Sequence, residues 1–565
     1  MFRKIIKIAS VTLIIFIGAI LLIYFCIYID VRVFKPKNPI VGLSKYSTMN
    51  PVGSGNGAYS IGKNWIRQNR YKLWEMYVEG NAYDRGIIAG KLSGKLVKEQ
   101  EEIFVSEINK VIPSKFYQNI LLNGIAWFNR NLPAQVKTEY LDEIFGISQS
   151  ASHKFDEYGP AYLRLLNYHA AHDIGHAMQS YKLVGCSSFA TWNEHSEDSL
   201  LIVGRNFDFY FGDDFARNKI VEFVAPDSGF KFAFVTWGGM IGVVSGMNEK
   251  GLTITVNAGT LGMAYHTATP VTIVAREILQ YASNLDEAIE IASKRSLFVS
   301  ESFLISSAFD KKAIIIEKRP EGEDLVQPDS SILICTNHYQ GAKFSSSASN
   351  VENRLNNATG YRFLRIQQLL NQNRPLNPLI AASILRNKNG LNDISIGYGN
   401  EKAVNQLLAH HSIIFEPEKR IMWVSTAPNV MGPYVAYDLN KIFSRKNSLT
   451  ITNDIDEKNL EIPADSFIQS AAYQKYLDFK TLSVNIIKDT KNKLSMSDSF
   501  ANLYESLNPD YFETYLNLGD FYFSIRDYLK AGKFYNTGLT KEANNEAIRK
   551  KMLYQSQICD KKKQP

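Results

Sequence analysis

The chain has 565 residues, room for roughly two to four domains, and its composition of 45% hydrophobic, 12% aromatic and 21% charged residues is that of globular material rather than a disordered or fibrous chain. Its net charge of +7 is modest for the length, and outside the short tail Lys561-Lys562-Lys563 no basic run interleaves with aromatic residues, so a nucleic-acid partner is not expected. Four cysteines (Cys26, Cys186, Cys335, Cys559) are too few and too scattered for a disulfide framework, none forms a CxxC spacing, and they leave the compartment open.

Ile8 to Ile29 is a run of 22 residues without a charge, preceded by Arg3, Lys4 and Lys7. At about 1.5 Å per residue it spans a hydrocarbon core of about 30 Å. A cleavable signal peptide has a shorter apolar stretch and a small-residue exit; here the exit is bulky (Tyr24, Phe25, Ile27, Tyr28), so residues 1–30 read as an uncleaved signal anchor of a single-pass membrane protein. The basic residues ahead of it favour an inside N-terminus and a catalytic body on the extracytoplasmic (periplasmic) side, a bias that Arg32, Lys35 and Lys37 blunt. Residues 31–64 read as a Pro/Gly/Ser/Asn-rich linker.

Residues 65–185 read as mostly helical, with apolar residues at helical spacing over Glu101–Ile112 and Ala161–Met178. The pattern then changes. Leu200–Val203, Phe232–Val235, Leu252–Val256, Ala313–Glu317, Ile332–Ile334, Ser412–Phe415 and Ile421–Val424 are short β-rich runs. Helices are expected between them at Thr272–Ser283, Leu285–Ser293 and Arg354–Leu370. Sheets bracketed by helices predict an α/β layered fold for residues 186–450. Residues 451–500 are polar and read as a connector. In residues 501–560, Tyr515, Leu518, Gly519, Tyr522, Ala531, Tyr535 and Gly538 have the small-and-large spacing of a tetratricopeptide-like helical pair; an ordinary helical hairpin is the equal alternative, and either leaves an apolar face for the catalytic body or a protein partner.

The chemistry-bearing stretch is Gly185-Cys186-Ser187-Ser188-Phe189, followed by Gly204-Arg205-Asn206-Phe207-Asp208. Cleavage of the bond between Gly185 and Cys186 would make Cys186 an N-terminus carrying both a thiol and an α-amine. Their pKa values, about 8.5 and about 8, let one act as base for the other near neutrality.

Seven motifs in order carry a family resemblance: Glu79-Gly80-Asn81-Ala82-Tyr83-Asp84-Arg85-Gly86 with Gly90 after it, Glu139 to Ser148, the two stretches just named, Gly246 to Leu252 leading to Asn257, Thr336-Asn337-His338, and Arg362-Phe363-Leu364-Arg365. Over roughly residues 75–430 the chain resembles the acyl-coenzyme A:6-aminopenicillanic acid acyltransferase-like (C45 peptidase) family. It is more distantly similar to choloylglycine hydrolases and acid ceramidase, all N-terminal-nucleophile hydrolases. The resemblance implies an αββα sandwich, autocatalytic cleavage before Cys186, and hydrolysis or transfer at an amide or thioester carbonyl; no cofactor is expected. It carries over Cys186 as nucleophile and Arg205 as the charge that raises its thiolate fraction. Asp208 is carried over as the carboxylate that holds the new α-ammonium, Asn257 (backbone N–H or amide) and Asn337 (side-chain amide) as oxyanion donors, and Arg362 as a second positive group with Arg365 as its neighbour.

Each residue also has a plainer reading. Cys186 could be core, Asp208 a turn residue, Asn257 the close of a strand, and Arg362 and Arg365 a solvated helix face. His169, His172 and His176 share one helical face beside Asp173; a packed or exposed His-rich helix is the default there and a metal site the alternative. His338, His410 and His411 read as structural rather than as a base in a Cys/His pair. The chain is therefore expected to be a self-processing N-terminal-cysteine amidohydrolase or acyltransferase acting on a small acyl amide or thioester. Its rivals are a membrane-tethered interaction protein that retains the fold, and a protein that only cuts itself.

Overall fold

A computed structural model of the chain describes residues 2–33, 36–55, 57–178, 185–209, 212, 214–259, 267–444, 451, 454–493 and 496–562. Among them, two sheets dominate. The larger has eleven strands, in the spatial order Val52–Gly53, Tyr59–Ile61, Asn64–Gln68, Trp74–Gly80, Ile220–Pro226, Phe232–Thr236, Ser245–Asn248, Leu252–Ala258, Glu301–Ser307, Lys312–Arg319 and Gly322–Val326. The smaller has six: Ile332–Cys335, Ser187–Thr191, Ile202–Phe207, His411–Glu416, Ile421–Ser425 and Tyr434–Asp438. All pairings are antiparallel except Trp74–Gly80 against Ile220–Pro226, which is parallel.

The strand period of two sorts side chains between layers. Along the smaller sheet, Ala190, Val203 and Ile413 face Val221, Val235 and Ile315 of the larger one in a core between the sheets. Their neighbours Phe189, Ile202 and Ile414 face the opposite way, onto Ile366, Leu369, Ala381 and Leu385 of the helices Ala358–Gln372 and Pro378–Leu385. The outer face of the larger sheet (Met76, Val78, Phe232, Ile254, Ile305) packs on Ile88, Ile144, Leu166 and Ile278 from the helices Ala82–Leu92, Thr138–Ser148, Ala161–Met178 and Val271–Tyr281. The order through the molecule is helices, sheet, sheet, helices, a mixed α/β architecture.

Two expectations are corrected. Asn64–Gln68 and Trp74–Gly80 are strands, not the opening of a helical stretch. Trp74, Met76 and Val78 face the helices while Tyr77 packs into the core between the sheets, an alternation that a helix could not satisfy. Residues 471–492, expected to be connector, form one long helix, Ala471–Asn492, in which Tyr473, Tyr476, Phe479 and Ile486 are a sparse apolar stripe. Beyond it, Asp498–Leu507, Phe512–Ser524, Tyr528–Leu539 and Glu546–Lys562 are helices around their own core. There Gly519 makes room for Tyr535, whose ring lies 2.6 Å from where a Cβ would be.

The first two motifs explain each other. Helix Ala82–Leu92 crosses helix Thr138–Ser148 backbone to backbone: a Cβ on Gly86 would lie 2.1 Å from the Glu143 carbonyl oxygen, and one on Gly146 2.7 Å from the Ile87 nitrogen. Glu143 is buried at the crossing between Arg85 and Arg276. The N-terminal helix, Phe2–Val33, contains an apolar span at Ser10–Val33, by length and composition enough to cross a membrane. It lies along Lys115–Phe128, with Asn123 3.4 Å from the Tyr24 hydroxyl and Arg130 3.5 Å from Asp30.

Candidate active site

Cys186 stands one residue before strand Ser187–Thr191, inside the smaller sheet, and is buried. Registry does the rest: Ser188 pairs with Arg205 on one side and with Cys335 on the other. The Gly-Arg-Asn-Phe-Asp and Thr-Asn-His motifs thus flank the cysteine as the ends of its two neighbouring strands. Arg205 Nη2 is 3.6 Å from Cys186 Sγ, and its guanidinium also donates to Ser245 Oγ and to the Val256 carbonyl. Burial pushes the Cys186 thiol up to about 11, opposed by the positive charges of Arg205 and Arg362 and assisted by the negative charges of Asp208 and Glu301.

Arg362, from the helix Ala358–Gln372, is the hub. Its Nη1 donates to the carbonyls of Gly185 and Cys186, each at 2.7 Å, and to Ser187 Oγ at 2.8 Å, while Nη2 donates to Asn337 Oδ1 at 2.7 Å. Asn337 Nδ2 donates to the Ala258 carbonyl at 3.1 Å, and the loop it stands on is pinned by Thr359 Oγ1, which accepts from the Asn337 backbone at 2.8 Å. An amide nitrogen has two hydrogens, so one of Asn337's is not committed to Ala258.

Asp208 follows strand Ile202–Phe207 and is fully buried. Desolvation lifts its acid from 3.8 to about 7 even though Arg362 and Arg205 pull the other way. Its Oδ2 accepts from Gln406 Nε2 at 3.3 Å, its Oδ1 has no hydrogen-bond partner among the described residues, and its backbone carbonyl accepts from the Gly185 N–H at 2.9 Å.

Asn257, carried over as an oxyanion donor through its backbone N–H or its amide, sits at the junction of the two sheets. It lies on the larger sheet, accepts from Ser188 Oγ at 2.8 Å and donates to the Cys335 carbonyl at 2.8 Å, so its amide fastens one sheet to the other across the site. Arg365 turns away from Cys186 to Asn387, Gln368 and Asp393.

The histidines sort by geometry. Both ring nitrogens of His169 are used: Nδ1 is 2.8 Å from the Leu165 carbonyl and Nε2 accepts from the Ile241 N–H at 3.0 Å, and burial lowers its pKa to about 4. The side chains of His172 and His176 lie outside the described residues. His338 is held by Thr336 and Thr359. His410 and His411 contact each other at 2.9 Å, and His411 Nε2 is 2.9 Å from Ser245 Oγ, behind Arg205.

Three contributors escape a sequence reading. Ser245 precedes the Gly246 motif and supports Arg205. Glu301 opens strand Glu301–Ser307, and its charge is felt at the thiol. Gln406 belongs to no motif, yet its Nε2 donates to the Gly185 carbonyl at 2.9 Å. Beside the cysteine, Phe104, Phe207, Phe209, Phe215, Trp237 and Met240 form a separate apolar cluster.

Residues 192–429 match the model of the acyl-coenzyme A:6-aminopenicillanic acid acyl-transferase family. The matched span holds Arg205, Asp208, Asn257, Asn337 and Arg362 and begins just after Cys186. An uncharacterized protein of Archaeoglobus fulgidus is 26% identical over 240 residues, 39% of this chain and 39% of that protein, so the alignment spans well under half of the relative's length. Among solved structures, a Caenorhabditis elegans N-acylethanolamine-hydrolyzing acid amidase ortholog is similar at 16% identity and a TM-score of 0.31, over 41% of this chain and 93% of that one. A conjugated bile acid hydrolase variant from Clostridium perfringens is similar at 14% identity and a TM-score of 0.34, over 50% of this chain and 99% of that one. From residue 192 to residue 429 the chain carries the match to the acyl-coenzyme A:6-aminopenicillanic acid acyl-transferase family that its ordered motifs resemble.

Proposed function

We propose that this protein is a self-processing N-terminal-cysteine enzyme that hydrolyses or transfers the acyl group of a small amide or thioester. The observation that carries the reading is the grip of Arg362, which holds the Gly185 carbonyl, the Cys186 carbonyl and Asn337 at once, with Arg205 on the Cys186 sulfur.

In the uncut chain, Cys186 Sγ attacks the Gly185 carbonyl carbon. The C–N bond to Cys186 breaks, the thiol proton passes to the departing nitrogen, and a thioester forms. Water then releases the Gly185 carboxylate and restores the thiol. Asp208, titrating near neutrality and without an α-amine yet present, is suited to relay the proton. Arg362 is suited to stabilise the oxyanion, a contribution of about 3 kcal/mol for a single well-placed donor. The new N-terminal Cys186 would then attack an external acyl carbonyl to form an acyl-cysteine, with the free N–H of Asn337 as donor. Water completes hydrolysis, an amine completes transfer.

The apolar cluster of Phe104, Phe209, Phe215, Trp237 and Met240 against Cys186 favours a substrate whose acyl group is apolar. Ser10–Val33 would anchor the protein in a membrane, with residues 1–185 as the leading fragment after the cut.

Intact mass and N-terminal sequencing of the purified protein test this beside Cys186→Ala. A wild-type fragment beginning Cys-Ser-Ser-Phe, absent from the variant, is expected. A folded but uncut wild type refutes self-processing. A cut protein that turns over no acyl amide or thioester would leave self-cleavage as its only chemistry.

A further inference from the structure

Gln406 owes its place to a loop whose other side is held by the C-terminal helices, which lie beyond the family match. Asn508 clamps the loop at Tyr398: its Oδ1 accepts from the Tyr398 N–H at 3.1 Å and its Nδ2 donates to the Tyr398 carbonyl at 2.9 Å. The Tyr511 hydroxyl donates to the Gly399 carbonyl at 3.2 Å. Gly397 has φ +78°, and a Cβ there would lie 2.3 Å from that of Tyr511, so the loop is pressed against the helices as closely as glycine allows. Three residues on, Asn400 Nδ2 donates to the Glu542 carbonyl at 2.8 Å, Asn544 Oδ1 accepts from the Glu401 N–H at 3.1 Å, and Lys402 Nζ meets the Glu542 carboxylate at 2.7 Å.

From these clamps the chain runs directly into the site. Asn206 Nδ2 donates to the Val404 carbonyl at 2.9 Å, and Asn405 N donates to the Asn387 carbonyl at 2.8 Å. Leu407 turns the backbone at φ +57° with its N–H on Asn405 Oδ1. Between these fixed points Gln406 reaches the Gly185 carbonyl and the Asp208 carboxylate. The fit at Gly185 is tight: a Cβ there would come 2.4 Å from Gln406 Nε2.

We propose that Gln406 is a catalytic residue of the self-cleavage, donating to the Gly185 carbonyl oxygen as Cys186 Sγ attacks its carbon, and that the C-terminal helical extension sets its position through Asn508 and Asn544. This rests on the self-processing reading above. It gives the extension a role inside the chain: Asn508 and Asn544 are positioning residues that act on chemistry they do not touch.

The test follows full-length chain made by cell-free translation, measuring over time the fraction that begins at Cys186 by mass spectrometry. Gln406→Leu is expected to slow cleavage about 100-fold, the cost of one oxyanion donor. Should that chain fail to fold, Gln406→Met, close in length and without a donor, is expected to give the same loss. Asn508→Ala is expected to slow cleavage about 2- to 30-fold, and to add no further slowing in the Gln406→Leu background, because its effect passes through Gln406. Equal slowing in both backgrounds would show a general structural effect and overturn the coupling; Asn544→Ala repeats this cycle at the second clamp. A wild type that cuts with Gln406→Leu keeping pace overturns this inference alone. A wild type that never cuts overturns the reading beneath it.

Discussion

Asp208 offers a sharp physical test, because burial and charge at that residue make opposite demands. In the uncleavable Cys186→Ala background, Asp208→Asn replaces a carboxyl by its nearest neutral analogue. The carboxyl titrates near 7 in the fold and at 3.8 as a free side chain. The unfolded chain therefore ionises first as pH rises, so each step from about pH 4 to pH 7 disfavours the fold. A shift of about three units corresponds to about 4 kcal/mol once pH passes the folded value, and to almost nothing below pH 4. The asparagine chain should thus match its parent at pH 3.5 and become more resistant to urea as pH rises to 7, after which the gap stays level. Comparing two chains cancels the other buried carboxyls that titrate nearby, Glu222 near 8 and Glu317 near 7. Urea midpoints read at half-unit steps of pH make the measurement. A gap that does not change between pH 4 and 7, or that favours aspartate, would refute the argument that desolvation outweighs Arg205 and Arg362 at this carboxyl.

Further outcomes follow from packing. Arg362→Leu takes this donor from the acceptors at Cys186, Ser187 and Asn337 and leaves the Gly185 carbonyl to Gln406 alone; it should both block self-cleavage and cost at least about 2 kcal/mol of stability, read by N-terminal sequencing and urea titration. Gly86→Ala drives a methyl into the Glu143 carbonyl and should destabilise the chain by about 1–3 kcal/mol, whereas alanine at the open position Gly124 should be tolerated; thermal melts of the two side by side check the contrast. After a cut at Cys186 the leading fragment should stay bound, since Trp74–Gly80 pairs along its length with Ile220–Pro226 and Glu143 meets Arg276 across the two pieces. Gel filtration of cut protein should give one peak holding both pieces, separable only in denaturant.

The ordered motifs made the surroundings of Cys186 legible because they are local: Arg205 and Asp208 are separated by one strand end, and Asn337 follows directly from the strand that pairs beside the cysteine. Strand Trp74–Gly80 was not legible in the same way. Its partner lies far along the chain, and its alternation of Trp74, Met76 and Val78 with Glu75 and Tyr77 only makes sense once both faces of the sheet are covered. The helix Ala471–Asn492 hid behind its polar surface, since its four fully buried residues are too sparse to announce an amphipathic face. Gln406 left no trace at all. A glutamine in a loop carries no pattern, and its meaning comes from Asn508, Tyr511 and Asn544 holding that loop from another part of the fold. Asn257 was legible as a site residue, but its link between the two sheets, through Ser188 and Cys335, shows only once the sheets dock.

The parallel pairing of Trp74–Gly80 with Ile220–Pro226 has a consequence for the order of events in the molecule's life. The two strands straddle the bond before Cys186, and joining them closes a long loop, a slow step in any folding reaction. The cysteine's surroundings are complete only when Asn257 of that larger sheet has reached Ser188 and Cys335 of the smaller one. A chain that cuts itself there has already joined strands from both sides of the cut and docked its two sheets. On the self-processing proposed above, cleavage would work as a checkpoint that certifies the fold before releasing the nucleophile, and a misassembled chain would stay whole and inert.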